Sequence, residues 1–208
     1  MLHIVIMLLL SGFLYSSQNP NLLIRFLKGS EILPYQEEIA KLNIEVFKEY
    51  PYFYDGNLQE QIEFHKIYVN SPEGVAFLAE IDGHCVGVAL GIPMTHFLPD
   101  YQKALTSKGI FLEGIFYLGE FIIRKDYRHQ KIGYQLYEKL KAYAKTKYKN
   151  LLYSEVVPTS DPPVGYRSIQ TLFKDFSLLP NVSCEFSWKE LGTNQLIPHT
   201  MVFWMQDL

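Results

Sequence analysis

The sequence predicts one α/β domain of mixed α+β type, and three observations carry that prediction. Strand-like apolar runs alternate along the chain with stretches of helical periodicity. The tetrapeptide Ile81-Asp82-Gly83-His84 has the signature of a tight hairpin, because Asp-Gly supplies the positive φ angles of a type I′ turn. A strand over 115–124 passes through a short polar turn straight into an amphipathic helix.

Residues 22–27 read as the first strand. After Gly29-Ser30, the apolar positions Ile32, Ile39, Leu42, Val46 and Phe47 recur at helical spacing until Pro51 ends the helix. An aromatic loop, Tyr50-Pro51-Tyr52-Phe53-Tyr54-Asp55-Gly56, leads to a second helix over 58–69, stopped by Ser71-Pro72. Residues 75–81 and 85–92 are the strands of the hairpin. The long connection over 93–112 includes a short helix around 100–105, and insertions of this kind often serve as binding elements. After the strand over 115–124, Ile132, Leu136, Leu140 and Ala144 form an i, i+4 stripe, with Lys139, Lys141, Lys145 and Lys147 mostly on the solvent side. A strand over 151–157, a loop holding Pro158, Pro162, Pro163 and Gly165, and a helix over 166–176 come next. In the first closing strand Val182, Cys184, Phe186 and Trp188 alternate with polar residues, and the second runs over 200–205. With no repeat or linker in view, residues 22–208 read as a single domain.

A chain of 208 residues suits one domain. With 48% apolar and 20% charged residues it is too hydrophobic for disorder and too mixed for a membrane protein. A net charge of −3 without a dense Lys/Arg run speaks against nucleic acid as a partner. Cys85 and Cys184 stand alone in apolar runs, away from any metal-ligand spacing, so both read as small core residues; no metal is expected. Residues 1–21 stand apart as an extension. Its apolar stretch from Leu2 to Leu14 is too short to span a bilayer. It has signal-peptide length, but His3 is its only candidate basic residue and Leu14-Tyr15-Ser16-Ser17 is a poor cleavage site. An extension packed on the domain and a start codon assigned too early are the alternatives.

Chemistry concentrates between Tyr117 and Leu136. A strand-turn-helix exposes the first N–H groups of the helix, and with the helix dipole this makes an anion site suited to a diphosphate. Gly133 lets such an anion approach the backbone. A plain β-α connection is the bland alternative. A P-loop is excluded by the absence of Gly-Lys-Ser/Thr, and a dinucleotide fold by the absence of three spaced glycines after an early strand.

This segment resembles the acetyl-CoA motif of the GNAT superfamily: Arg or Gln, two residues, Gly, one residue, then Gly or Ala. Arg128 through Gly133 fill that frame, with Lys131 at the first glycine position. The order of elements over roughly 22–206 is also similar, and 186–190 with 201–204 resemble the C-terminal part of bacterial members of unassigned substrate. The resemblance implies a mixed, mostly antiparallel sheet, splayed between the strands at 115–124 and 151–157 to admit the cofactor and flanked by helices. It implies acetyl-CoA as acyl donor, held by Phe121, Ile122 and Ile123 along the pantetheine arm and by Arg128, His129, Gln130, Lys131, Ile132, Gly133 and Tyr134 at the pyrophosphate. A backbone N–H near Ile122 then faces the oxyanion.

The implied activity is direct transfer of acetyl to a primary amine on a small molecule or peptide. An amine with a pKa of about 10.4 must lose a proton before it attacks. Glu120 is the candidate base; a salt-bridged strand carboxylate is its bland alternative. The tyrosine that often protonates the departing thiolate falls on Phe173, which leaves Tyr166 or water. Tyr52, Phe53, Tyr54 and Asp55 border the acceptor pocket. The cofactor implies a cytoplasmic location, with export as the alternative if the N-terminal segment is a signal; a homodimer stays open. Two other readings stand beside the enzyme: a non-catalytic acyl-CoA-binding module, which Lys131 and Phe173 favour, and an exported or membrane-attached interaction protein.

Overall fold

Among the described residues, seven strands form one sheet in the order β1-β2-β3-β4-β5-β7-β6. They are β1 (Leu22–Lys28), β2 (Val75–Ile81), β3 (His84–Pro93), β4 (Ile115–Ile123), β5 (Asn150–Val156), β6 (Ser177–Lys189) and β7 (Leu196–Asp207). The computed structural model describes residues 21–156, 173–193 and 195–208. Every neighbouring pair is antiparallel except β4 with β5. Among the described residues, four α-helices flank the sheet: α1 (Gln36–Phe47), α2 (Leu58–Asn70), α3 (Pro99–Thr106) and α4 (Ile132–Lys145).

Local chemistry accounts for the element ends. Asp82 and Gly83 take φ of 51° and 79°, the pair of positive angles that the β2–β3 turn demands. The Asn57 side chain caps α2 by accepting from the N–H groups of Gln59 and Glu60 at 2.9 and 3.1 Å. Pro99 opens α3 at a position where its missing N–H costs nothing. A 3₁₀ segment, Gly29–Tyr35, precedes α1, so Ile32 lies before the α-helix while Ile39, Leu42, Val46 and Phe47 lie in it.

Helices α1, α2 and α3 cover one face of the sheet, burying Ile39, Leu42 and Tyr68 against Leu78, Leu90, Ile92 and Tyr117. Helix α4 covers the other face with the stripe read from the sequence: Ile132, Leu136, Leu140 and Ala144 lie against Phe77, Phe116, Leu118 and Leu151. Each fully buried large apolar side chain here stabilises the fold by about 1.5–3 kcal/mol. Both cysteines are free; burial pushes the Cys85 thiol up to about 12 and that of Cys184 to about 11, so each acts as a protonated, largely apolar group.

Two strand expectations change. Strand β6 starts at Ser177, well before the alternating run, because the register shifts between Leu178 and Ser183 around Asn181 at φ 59°, which breaks the period of two. Strand β7 starts at Leu196 and includes Pro198, at a point where β6 pairs with it but β5 does not. Most of the helix expected over 166–176, including Tyr166, lies outside the described residues. Its described end, 173–176, is a turn closed by the Phe176 N–H donating to the Phe173 carbonyl at 3.0 Å.

The feature that positions the site is the parting of β4 from β5. Their pairing runs only from Ile115↔Asn150 to Leu118↔Tyr153, although β4 continues to Ile123 and β5 to Val156. Against β3, Glu120 pairs with Leu90 and Leu118 with Gly91, so Gly119 is the extra residue of a bulge. A Cβ at Gly119 would lie 2.0 Å from the Tyr68 hydroxyl, so only glycine fits there.

Beyond the parting point, Glu155 is buried beside Trp204. Burial pushes its carboxyl up to about 7 against the opposing pull of the indole. A carboxyl raised above its ordinary 4.5 contributes stability that is whole below that value and lost as pH rises through about 7. Discounted for partial hydration, the loss is about 2 kcal/mol. Urea unfolding should show Glu155→Gln matching the wild type near about pH 5 and exceeding it by about that amount near about pH 8.

Candidate active site

On the α4 side, the turn after β4 is shaped for an anion. His129 and Lys131 both adopt left-handed backbone, at φ 63° and 62°, and Lys131 is the N-cap of α4. The first helical bond is donated by the Gln135 N–H to the Lys131 carbonyl at 3.1 Å. The N–H groups of Ile132, Gly133 and Tyr134 therefore have no partner within the helix and stand at the positive end of its dipole. A Cβ on Gly133 would point at the Phe121 ring, 3.4 Å away, so this residue faces the region where β4 and β5 part.

Strand β4 offers an open edge there. The Arg124 N–H donates to Val86 of the β3 side at 2.9 Å, and Ile122 pairs with Val88 in the same register. The period of two turns the Ile122 backbone toward β3 and the backbones of Phe121 and Ile123 toward the side that β5 has left. Arg128 reaches back across the turn: its Nε donates to the Ile123 carbonyl at 3.0 Å, and its Nη1 to Glu49 at 2.7 Å.

On the opposite face lies a cavity of about 520 Å³, walled by Tyr52, Tyr54, Phe64, Tyr101, Phe186 and Trp188 among other residues and reaching Gly119 and Glu120 on β4. Its aromatic loop is fastened to β6. The Trp188 indole donates to the Tyr52 carbonyl at 2.8 Å, the Asp55 N–H to the Lys189 carbonyl at 2.8 Å, and the Leu191 N–H to the Phe53 carbonyl at 2.7 Å.

Glu120 is only 5% exposed and is held by two helices. Asn43 of α1 donates to its Oε2, and His65 of α2 sets Nε2 at 3.5 Å from its Oε1. Gln61 lies 3.0 Å from that same His65 nitrogen and accepts from the Tyr54 hydroxyl at 3.1 Å. Burial raises the phenols of Tyr52, Tyr54, Tyr68 and Tyr117, helped by nearby carboxylates, so all four remain protonated donors near neutrality. The arrangement can hold a small cationic molecule among rings, with one buried carboxylate at the point where the strands part.

The family model "Acetyltransferase (GNAT) family" matches residues 37–165, more than half of the chain. The chain belongs to the GNAT acetyltransferases. No curated protein matches it. Solved structures agree in fold. A GNAT acetyltransferase from Streptococcus pneumoniae is 16% identical, with 90% of this chain and 99% of that one covered at a TM-score of 0.56. One from Staphylococcus aureus Mu50 is 17% identical, covering 89% and 99% at 0.55. A ribosomal-protein-alanine N-acetyltransferase from Brucella melitensis is 16% identical, covering 89% and 99% at 0.55. This chain spans 44% of the length of a Pyrococcus horikoshii protein assigned to the acetyltransferases, at 15% identity and a TM-score of 0.52.

In this GNAT chain the motif residues 128–134 gather at the start of α4, and Phe121 and Ile123 present their backbones to the gap. Ile122 turns its backbone to β3, with a side chain 1% exposed. Tyr52, Tyr54, Asp55 and Glu120 line the cavity together, while Phe53 stands half exposed outside the lining and edge-on to Tyr50. Phe173 is buried among the rings of Phe121, Tyr137 and Tyr153. Asn43, Gln61 and His65 are additions that the sequence reading did not supply. The spacing of Gln61, His65 and Tyr68 at i, i+4 and i+7 was the available signal, since it puts two polar side chains on the core face of α2.

The left-handed backbone at Lys131 gives the family's glycine at that position a reason, and makes lysine a strained choice. Lys131→Gly should raise the unfolding free energy by about 0.5–1 kcal/mol in urea titrations, the relief of strain outweighing the added freedom of the unfolded chain.

Proposed function

We propose that residues 22–208 form one N-acetyltransferase domain that moves an acetyl group from acetyl-CoA to a primary amine by direct attack in a ternary complex. The observation that supports this best is the placement of Glu120: buried, at the bulge where β4 leaves β5, and open to an aromatic cavity.

The residues present suit acetyl-CoA. The free N–H groups of residues 132–134 would hold its pyrophosphate, with Lys131 adding charge, and the backbone of Phe121 with the N–H of Ile123, whose carbonyl accepts from Arg128, would pair with the pantetheine arm. When bound, acetyl-CoA supplies the activated acyl carbon. The N–H groups of Phe121 and Ile123 then stand as donors toward the carbonyl oxygen as charge builds on it. Tyr52, Tyr54 and Asp55 hold a cationic amine with an apolar body, a small molecule or the end of a peptide. Glu120 takes the ammonium proton, which frees the nitrogen to attack. Protonation of the departing thiolate falls to Tyr166 or to water, since Phe173 has no hydroxyl. A cytoplasmic location follows from where acetyl-CoA is made.

Calorimetry should show acetyl-CoA binding that Gly133→Trp abolishes, because an indole there fills the space between the α4 amides and Phe121. Glu120→Gln should keep that binding and lower kcat across an amine panel by about 10²-fold or more. Binding without turnover by the wild type would leave the non-catalytic module. No binding to the folded protein would sink the enzyme reading altogether.

A further inference from the structure

We infer that the Asn43 side chain binds the acceptor: its Oδ1 takes one N–H of the entering ammonium while Glu120 faces another, so the site selects a nitrogen that brings at least two hydrogens. This rests on the reading of the aromatic cavity as the acceptor site, with Glu120 as its base.

Asn43 lies on α1, is 2% exposed, and is one of the residues that wall the cavity. Its Nδ2 donates to Glu120 Oε2. Chemistry fixes the orientation of the amide. A carboxylate only accepts, so the NH₂ must face it, and the opposite orientation would set two oxygens against each other. Oδ1 is therefore the atom left over, buried and without a hydrogen-bond donor. Among the described residues, it is the one buried, partnerless side-chain N or O that belongs to a residue walling the cavity. His65 Nδ1 and Tyr68 Oη share that condition but sit on residues outside the lining.

A buried amide oxygen is expensive to leave unmet, and the neighbouring buried amides avoid that cost. Gln36 Nε2 donates to the Ile62 carbonyl at 2.6 Å, and Gln61 is engaged by the Tyr54 hydroxyl at 3.1 Å and by His65 at 3.0 Å. Asn43 is an exception inside a connected shell, and it stands beside the carboxylate at the bulge where β4 leaves β5. An apolar side chain there would leave no oxygen unmet, so packing gives no reason for asparagine. Support of Glu120 accounts for Nδ2 alone. A donor entering the cavity accounts for Oδ1.

The surroundings set the chemistry of that donor. Beside a carboxylate and among rings a cation is favoured, and an alkylammonium carries several N–H bonds on one atom. One can face Glu120 while another meets Oδ1. A hydroxyl has a single O–H: given to Glu120 it leaves Oδ1 unmet, and given to Oδ1 it leaves no proton for the base. A tertiary ammonium, with one N–H, fails in the same way. Asn43 exchanges no proton. It holds the nitrogen beside Glu120 and separates N–H acceptors from hydroxyls, as a site built to hydrogen-bond its substrate rejects analogues that lack the donor.

The test is calorimetry on the full chain saturated with CoA, so that no acetyl moves, near about pH 7 where the amines are protonated. The probes are 2-phenylethylamine and its N-methyl and N,N-dimethyl derivatives. As ammonium ions they carry three, two and one N–H, with a ring for the aromatic walls. The first two should bind the wild type within about 3-fold of each other, and the dimethyl compound about 10–100-fold more weakly. In Asn43→Leu, which keeps the shape of the side chain, the first two should weaken by about 10–100-fold and the third by about 3-fold or less, so the step disappears. The wild-type series decides by itself should the variant not fold. Equal binding of all three overturns the inference. The same step in Asn43→Leu assigns it to methyl crowding and also overturns it. So does an Asn43→Leu that loses turnover with an unchanged binding series, because Asn43 then only supports Glu120; in each of these cases turnover of primary amines leaves the acetyltransferase reading in place. Failure of 2-phenylethylamine to bind overturns the inference as well, and if no amine of the panel is turned over, that reading falls with it.

Discussion

Everything in this molecule that bears on function depends on the place where β4 and β5 stop pairing. Two parallel strands would normally continue their ladder, since unpaired backbone groups inside a protein are costly. Here a bulge at Gly119 gives β4 an extra residue and a local increase in twist, and it carries the strand away from β5 beyond Leu118. Tyr68 packs its hydroxyl where a side chain at 119 would be, so the bulge is locked to α2 and not free to anneal. The backbone groups left along this edge, apart from the Ile123 carbonyl that accepts from Arg128, are a ready ladder for an extended ligand.

The cavity beside this gap is made by joining sequence-distant parts. The loop between α1 and α2 lies more than a hundred residues from β6, yet three backbone carbonyls, of Tyr52, Phe53 and Lys189, take part in hydrogen bonds that fasten them together. Rings from the loop, from α2, from α3 and from β6 then meet at edge-to-face and tilted angles, such as Tyr52 with Trp188 and Phe64 with Phe186. Such walls are rigid for the same reason that cores are. A carboxylate and an imidazole in their midst are costly to bury, and a stability-driven sequence would put apolar residues there.

Much of the fold could be read from the sequence because its signals are local. The Asp82-Gly83 turn, the α4 stripe and the strand-turn-helix through Arg128 each follow from a few neighbouring residues, and each forms as expected. The family's glycine position could be read as occupied by Lys131, but its positive φ could not. Of the candidate site, the turn over 128–134, Glu120 and the loop residues Tyr52, Tyr54 and Asp55 were legible, but the side chains around Glu120 were not. Glycine within a strand pattern hints at a bulge, but the extra residue at 119 is defined against Leu90 and Gly91 of another strand. His65 reads as one polar residue on an apolar helix face until α2 is laid over β4. The early start of β6 was hidden because the register break at Asn181 interrupts the alternation that would have revealed it.

The sheet also separates the two halves of the site. Along β4, Glu120 and Ile122 face the helices α1 and α2, while Phe121 and Ile123 face α4. A ligand at the start of α4 and one in the aromatic cavity lie on opposite faces and can meet only through the gap. Glu49, just past the end of α1, touches both halves. Its carbonyl accepts from the N–H groups of Tyr52 and Phe53 at 3.1 and 3.2 Å, and its carboxylate takes Arg128 of the turn at 2.7 Å. That ion pair is partly exposed and therefore worth little as stability. Its value is positional: it ties the first residues of the cavity's aromatic loop to Arg128 of the turn before α4.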